Sequence, residues 1–155
     1  MANKENERAD YELERSVGFM MGMVYRKMSA FFLNRIKAFG VTPEQWSVLF
    51  QIDRHEGRIQ KEIADMVGKD KPTTTRILDL LEAKGLVRKQ VGESDKRSFQ
   101  LYITEEGRKL VRHLTPIEQQ VAGEVMQCMS SEEADTFMLL LKRLDAHVEQ
   151  TLKPE

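Results

Sequence analysis

The segment from Gln60 to Thr104 constrains the fold of this chain more than any other part of the sequence. Two short stretches with helical periodicity are separated by Gly68, and two stretches with strand character follow them. Glycine permits a sharp corner between two short helices, because it adopts backbone conformations that residues with a Cβ resist. The order helix, turn, helix, hairpin predicts a helix-turn-helix unit with a β-hairpin beside it.

The flanking sequence predicts four further helices. A long first helix is expected from about Glu7 to Phe39, with Gly40 ending it, and Thr42 opens the next helix in a capping box with Gln45. The other predicted elements are helices over Gln60–Val67, Pro72–Lys84, about 104–129 with Pro116 inside it and about 130–151, and strands over Leu86–Val91 and Phe99–Ile103, the last with Phe99, Leu101 and Ile103 facing inward. The predicted fold is therefore mainly α with a small β-hairpin wing.

Size and composition place the chain among soluble globular proteins. Its 155 residues suffice for one domain, and 41% are hydrophobic while 32% are charged. No apolar run is long enough to span a bilayer, and the charged N-terminus lacks the core of a secretory signal. The single cysteine, Cys128, cannot form an internal disulfide and suits a reducing compartment. We expect a cytoplasmic protein without a membrane partner.

Charge is unevenly distributed along the chain. The net charge is −1, yet residues 58–97 carry 10 basic and 7 acidic side chains. Electrostatic binding to nucleic acid depends on such local patches more than on the overall balance. The positive excess coincides with the predicted helix-turn-helix and hairpin, so double-stranded DNA is a candidate partner.

The helix after Gly68 has a predicted inner and outer face. The inner stripe comprises Thr74, Ile77, Leu78 and Leu81, and the outer face is left to Lys71, Pro72, Thr73, Thr75, Arg76 and Asp79. Arg76 can donate two hydrogen bonds to guanine in a major groove, and threonine can contact a base edge or a phosphate. The alternative is a helix pair that only packs and leaves a solvated polar face.

The hairpin tip carries Asp95, Lys96 and Arg97. An arginine at a narrow β-tip is well shaped to enter a minor groove, and Asp95 is expected to hold its guanidinium through a bidentate pair. Arg88 and Lys89 on the preceding strand are expected to meet phosphates. The alternative for this charge cluster is an ordinary solvated loop.

Two strings, TTTRILDLLEAKGLVRK and ESDKRSFQLYITEEGR, resemble the MarR family of winged-helix transcriptional regulators. The Asp-x-Arg wing signature of that family falls on Asp95 and Arg97, and its strand-Thr-x-x-Gly run ends on Thr104 and Gly107. The helical layout is also similar over nearly the whole chain. The sequence departs from the family pattern at Thr74, an inward position that is usually aliphatic.

The resemblance implies a homodimer that binds a pseudo-palindromic operator, with the fourth helix in the major groove and the wing in the minor groove. In that arrangement residues 1–39 and 105–155 form the helical dimerisation region, and residues 40–104 form the DNA-binding lobe. The apolar surface of the terminal helices independently favours a two-fold dimer. We expect a regulator, most simply a repressor, without an enzymatic activity.

Similar regulators are released from DNA by small aromatic or phenolic ligands, which implies a small-molecule effector here. The candidate ligand-binding residues are Met20, Met23, Val24, Trp46 and Phe50, whose alternative role is core packing. No metal-ligand spacing, catalytic motif or cofactor motif is present, so no metal and no cofactor are expected. Two alternative functions stay open: a dimeric protein-interaction module, and a thiol-based redox sensor that uses Cys128.

Overall fold

The structure is a computed structural model that describes residues 12–153. The regular elements are α1 (Val17–Ile36), α2 (Pro43–Arg54), α3 (Gln60–Val67), α4 (Lys71–Ala83), β1 (Val87–Val91), β2 (Phe99–Ile103), α5 (Glu105–Met126) and α6 (Ser131–Leu152). This is the predicted mainly helical fold with one two-stranded antiparallel hairpin. Across residues 12–153, none of the helices combines the length and apolar character needed to traverse a bilayer.

The first helix begins later than the sequence pattern predicts. Residues before Glu12, which include the predicted start at Glu7, lie outside the described part. In the described part α1 begins at Val17, because the Ser16 side chain caps it by accepting a hydrogen bond from the backbone amide of Phe19 at 3.5 Å. The apolar periodicity continues through Ser16, so periodicity alone could not place this boundary.

Several predicted caps are confirmed. Thr42 and Gln45 form the reciprocal capping box at the start of α2, with both hydrogen bonds at 3.2 Å. Ser130 and Glu133 form the same arrangement at the start of α6, where the sequence analysis predicted only that a helix begins. Gly68 ends α3 in the left-handed region at φ 64°. The capping box at Thr42 and the helix end at Gly68 are local features, which is why the sequence identifies them.

The core lies where α2, α3 and α4 meet the hairpin and the first half of α5. Its buried members are Val48, Leu49, Ile52, Ile63, Ile77, Leu78, Leu81, Val87, Leu101, Ile103 and Val111. Thr74 is also fully buried, as predicted, and its hydroxyl donates to the backbone oxygen of Asp70 at 2.8 Å. That hydrogen bond removes the cost of placing a hydroxyl where an aliphatic side chain would otherwise pack.

The hairpin pairs β1 and β2 in the register Val87 with Ile103, through Val91 with Phe99. One prediction about its inner face is wrong: Phe99 is 49% exposed. Phe99 sits on the same face as the buried Leu101, but at the end of the strand that extends beyond the core.

A third short segment pairs with β2 and was not predicted. The backbone amide of Gly57 donates to the oxygen of Leu101 at 2.8 Å, and the amide of Leu101 donates to the oxygen of Arg58 at 2.9 Å. Two or three residues are too few to display strand alternation, so the sequence gives no signal for this pairing.

The chain forms two compact units, one ending at Glu118 and the other beginning at Gln119. In the first unit, α1 exposes an apolar stripe that comprises Val17, Met20, Met21, Val24, Tyr25 and Met28. In the second unit, α6 is described in full and contains no buried residue. Its exposed apolar side chains are Phe137, Met138, Leu139, Leu140, Leu144, Val148 and Leu152. In the part of the chain that the structure describes, each helix thus presents exposed apolar surface.

Candidate nucleic-acid interface

The outer face of α4 is the first part of the candidate interface. Asp70 caps the helix by accepting from the backbone amide of Thr73 at 2.8 Å and from its hydroxyl at 2.9 Å. These hydrogen bonds hold the pKa of Asp70 below its ordinary value. Arg76 projects into solvent, and with Pro72 it lies opposite the buried stripe. A shallow depression of about 610 Å³ covers this face and is lined by Lys71, Pro72, Thr75, Arg76, Asp79 and Leu80.

The Thr75 side chain is held in place by its neighbours. Its hydroxyl donates to the backbone oxygen of Lys71 at 2.9 Å and accepts from the Gln60 amide at 2.6 Å. The hydroxyl proton is therefore already committed, and Thr75 can offer an outside partner only its remaining lone pair and its methyl group. Gln60 at the start of α3 is a supporting residue that the sequence did not identify.

The turn between β1 and β2 is ordered by Asp95. Its carboxylate accepts from the backbone amide of Arg97 at 2.9 Å, and its backbone oxygen accepts from the amide and hydroxyl of Ser98 at 3.2 and 3.1 Å. The predicted bidentate pair with the Arg97 guanidinium is not formed. A side chain two positions away in a tight turn reaches the backbone amide more readily than the far guanidinium. Lys96 and Arg97 are left exposed at the tip.

The two cations of β1 have different surroundings, because successive side chains of a strand point to opposite faces. Arg88 lies on the outer face, with its guanidinium 4.4 Å from the ring centre of its cross-strand partner Tyr102. Lys89 lies on the inner face, where its ammonium is 2.7 Å from Asp79 and 3.3 Å from Glu82 of α4. The hydrogen bond to Asp79 raises the pKa of Lys89. The structure therefore gives Lys89 two carboxylate partners, whereas the sequence analysis assigned it to phosphate.

An ion-pair cluster supports the hairpin from the opposite end. The Arg108 guanidinium contacts Asp53 at 2.7 Å and Glu56 at 3.2 Å. Glu56 in turn accepts a hydrogen bond from the backbone amide of Ile103 at 3.2 Å. This cluster joins the end of α2, the end of β2 and the start of α5, and it fixes where the hairpin leaves the core.

The predicted ligand-binding residues lie on α1 and α2. The Trp46 ring is 5.4 Å from Phe50 and 5.4 Å edge-on from Phe32, which sequence reasoning did not include. Met23 is half-buried, whereas Met20 and Val24 are 44% and 46% exposed. The indole nitrogen of Trp46 is buried without a hydrogen-bond partner in residues 12–153. A buried donor left unpaired is uncommon in a folded protein.

Other candidate chemistry is limited in the part of the chain that the structure describes. There, no three histidine, cysteine, aspartate or glutamate side chains come together as a metal site would require. Cys128 is exposed just after α5, and its thiol approaches the backbone oxygen of Val125 at 3.6 Å.

Comparisons with known proteins agree with this geometry. A family model described as the MarR family matches residues 39–98, from just after α1 to the turn that precedes β2. The transcriptional repressor CouR, solved with a 23-mer DNA duplex, is 25% identical, and the match covers 94% of this chain and 99% of CouR with a TM-score of 0.78.

Two further structures have the same fold. MepR from S. aureus, solved as a DNA complex, is 24% identical over 85% of this chain and 98% of MepR, with a TM-score of 0.78. BpsR from Bordetella bronchiseptica, whose DNA binding is regulated by 6-hydroxynicotinic acid, is 21% identical over 87% of this chain and 96% of BpsR, with a TM-score of 0.82.

Proposed function

Because this chain belongs to the MarR family of winged-helix transcriptional regulators, we propose that it binds a pseudo-palindromic operator as a homodimer and represses transcription. The observation that carries the proposal is the exposed outer face of α4, on which Arg76 projects opposite a well-packed core. A helix supported in this way presents its N-terminal side chains to a major groove. The similarity to CouR, a transcriptional repressor bound to a DNA duplex, supports repression over activation.

We divide the proposed interface by the contact that each side chain is free to make. Arg76 reads a base, because its guanidinium can donate a bidentate pair to guanine. Lys71, Pro72, Thr73 and Thr75 at the start of α4 approach the backbone and the neighbouring base edges. Lys96 and Arg97 enter the minor groove from the wing, Asp95 shapes that turn, and Arg88 on the outer face of β1 meets a phosphate.

The homodimer follows from the uncovered apolar side chains of α1 and α6. Exposed stripes of this kind mark protein interaction surfaces, and a two-fold dimer presents two DNA-binding lobes at a fixed spacing. We therefore assign residues 1–39 and 105–155 to dimerisation and residues 40–104 to DNA binding. A cytoplasmic location is consistent with this role.

DNA binding is tested by titrating the protein into fluorescent duplex DNA from the region upstream of its own coding sequence. We expect saturable binding that unlabelled copies of the same duplex displace and a scrambled duplex of equal composition does not. The apparent affinity should fall steeply with salt, because protein cations release counterions from DNA. Equal affinity for the scrambled duplex would contradict sequence-specific regulation and would leave a dimeric interaction module as the better description.

We further propose that a small aromatic ligand binds beside Trp46 and releases the protein from DNA. The support is the unpaired indole nitrogen next to the rings of Phe32 and Phe50, together with the adaptable Met20, Met23 and Val24 on α1. A phenolic or carboxylate oxygen on the ligand would supply the missing acceptor. The regulation of BpsR by 6-hydroxynicotinic acid is a supporting precedent.

Trp46 is the only tryptophan, so its fluorescence reports directly on this site. A panel of hydroxylated aromatic acids should contain compounds that both change this fluorescence and displace the labelled DNA at the same concentrations. Trp46→Phe keeps the aromatic ring but removes the indole donor, and it should retain DNA binding while requiring more ligand for release. Release of Trp46→Phe at unchanged ligand concentrations would contradict the proposed site. The redox alternative at Cys128 stays a prediction of the sequence alone.

A further inference from the structure

The outer side of α4 carries two carboxylates that a DNA-binding helix would be expected to avoid. Asp79 is one helical turn beyond Arg76 and two turns beyond Pro72, so these three residues share one stripe. Glu82 lies one further turn along the helix. The side chains of Asp79 and Glu82 are 60% and 45% exposed. Uncompensated, these two negative charges would repel the phosphates on either side of a major groove.

Lys89 contacts both of these carboxylates at once. Its ammonium lies 2.7 Å from an oxygen of Asp79 and 3.3 Å from an oxygen of Glu82, while its own side chain is only 20% exposed. The pairing is dictated by the strand, because Lys89 shares the inner face of the hairpin with the buried Val87 and Leu101. The Lys89 side chain is thus held against α4 and does not extend away from it.

We propose that Lys89 is the fixed counterion of α4: its single positive charge halves the net negative charge of Asp79 and Glu82 so that the groove-reading face can approach DNA, and it makes no phosphate contact itself. This inference rests on the proposed DNA-binding function and adds a positioning residue to it. The same two ion pairs anchor β1 to α4, so the wing and the recognition helix approach DNA as one unit. A phosphate contact would require the ammonium to leave two carboxylates for one phosphate, at the expense of both ion pairs.

The proposal is tested with a cycle of variants of the full chain, measured against the duplex that wild-type protein binds. Lys89→Met keeps the aliphatic stem and removes the charge, Lys89→Arg keeps the charge, and Asp79→Asn with Glu82→Gln removes the charges that need compensation. Affinity is measured over a series of salt concentrations, and thermal unfolding of each variant verifies that it is folded. The decisive comparison is the effect of Lys89→Met on DNA affinity in two proteins: the wild type, and the variant in which Asp79→Asn and Glu82→Gln have removed both carboxylates.

The counterion role predicts a strong dependence on background. Lys89→Met should weaken binding by about tenfold in the wild-type background, because the net charge of this cluster then changes from −1 to −2 and repels the phosphates more strongly. The same substitution should change affinity by less than about twofold when Asp79 and Glu82 are already neutral, since no repulsion is left to relieve. Lys89→Arg should bind within about twofold of wild type, and the neutralised protein should bind at least as tightly as wild type.

Three results would overturn the proposal. An equal loss from Lys89→Met in both backgrounds, with a salt dependence reduced by about one counterion in each, would identify a phosphate contact. No loss in either background would show that the carboxylates need no counterion. A large loss from Asp79→Asn with Glu82→Gln alone would show that these carboxylates bind bases directly. Specific DNA binding by the wild-type protein is measured before any variant. If that binding is absent, the proposed DNA-binding function is wrong, which is a different result from a failure of the counterion proposal.

Discussion

Gly107 in the first turn of α5 lies directly against the backbone oxygen of Leu86, the residue that leads into β1. A Cβ atom added at Gly107 would overlap that oxygen and would come within 2.8 Å of the Ile103 side chain. The contact is reinforced by Thr104, whose hydroxyl donates to the oxygen of Gly85 at 2.7 Å and accepts from the amide of Gly107 at 3.0 Å. Glycine is needed here for close approach of two backbones rather than for an unusual φ.

Gly107→Ala should therefore destabilise the protein. The added methyl group meets a backbone carbonyl that cannot rotate away, and forced overpacking of this kind costs about 1–3 kcal/mol. The free energy of unfolding, measured by urea titration, should fall by that amount. Gly123→Ala on the same helix is the matched control, because its added Cβ meets no atom within 4 Å apart from its chain neighbours and its own helix backbone. The control should be neutral or stabilising by up to about 1 kcal/mol, and equal losses in both variants would contradict the close-approach argument.

The Arg108 cluster gives a second prediction about stability. Arg108→Met keeps the apolar stem but leaves Asp53, whose side chain is 17% exposed, without its ion-pair partner. A charge left unpaired in such a position should lower the free energy of unfolding by about 1–3 kcal/mol. Arg112→Met removes an ion pair with Glu105 in which both side chains are more than half exposed, and should cost only about 0–1 kcal/mol. Similar losses would mean that burial does not distinguish the two pairs.

Local features of the chain could be predicted from its sequence. The capping box at Thr42 and the turn at Gly68 depend on residues within four positions of each other, and the sequence identified them. The strands and the buried stripe of α4 also followed from periodicity. Each of these predictions needs only local geometry, which is why each was confirmed.

Contacts between elements were harder to predict. The partners of Lys89 are on α4, ten and seven positions earlier, and only the hairpin register places the lysine on the inner face. Alternation along β1 separates Arg88 from Lys89, but it does not say which of the two faces α4. The Arg108 ion pairs join residues more than fifty positions apart, and the sequence offers no signal for them. Asp95 was assigned to the right turn but to the wrong donor, because the backbone amide of Arg97 lies closer to its carboxylate than the guanidinium does.

The cap of α4 should make stability depend on pH. Hydrogen bonds from Thr73 lower the pKa of Asp70 in the folded protein, so the ionised carboxylate stabilises the fold above its unfolded pKa of about 4. This stabilisation should disappear as the pH falls through the lower folded pKa. Asp70→Ser retains a side-chain cap that does not titrate. The difference in thermal unfolding midpoint between wild type and Asp70→Ser should therefore change between about pH 5 and pH 2. A difference that stays constant over this range would show that protonation of Asp70 does not affect the stability of the fold.

Arg97 in the wing should contribute to affinity through charge. Arg97→Ala is expected to weaken binding to all duplexes and to reduce the slope of log affinity against log salt by about 1, because one counterion fewer is released. Arg112→Ala makes the same change in net charge on α5 and should leave the slope nearly unchanged. An unchanged affinity and slope for Arg97→Ala would remove the wing from the interface.

Arg76→Ala should instead relax base preference at one position per half-site, at a cost of about 1–3 kcal/mol on the preferred duplex only.

The exposed stripe of α1 should control the oligomeric state. Val24 lies at the middle of that stripe and is 46% exposed in the single chain. Val24→Glu would place a carboxylate inside the proposed dimer interface, where burial of an unpaired charge is strongly unfavourable. Arg26→Glu, two positions along and therefore on the opposite side of the helix, is the matched control. Sedimentation should give a monomer for Val24→Glu and a dimer for the control, with specific DNA affinity lost only in the former. A Val24→Glu protein that still sediments as a dimer would exclude α1 from the interface.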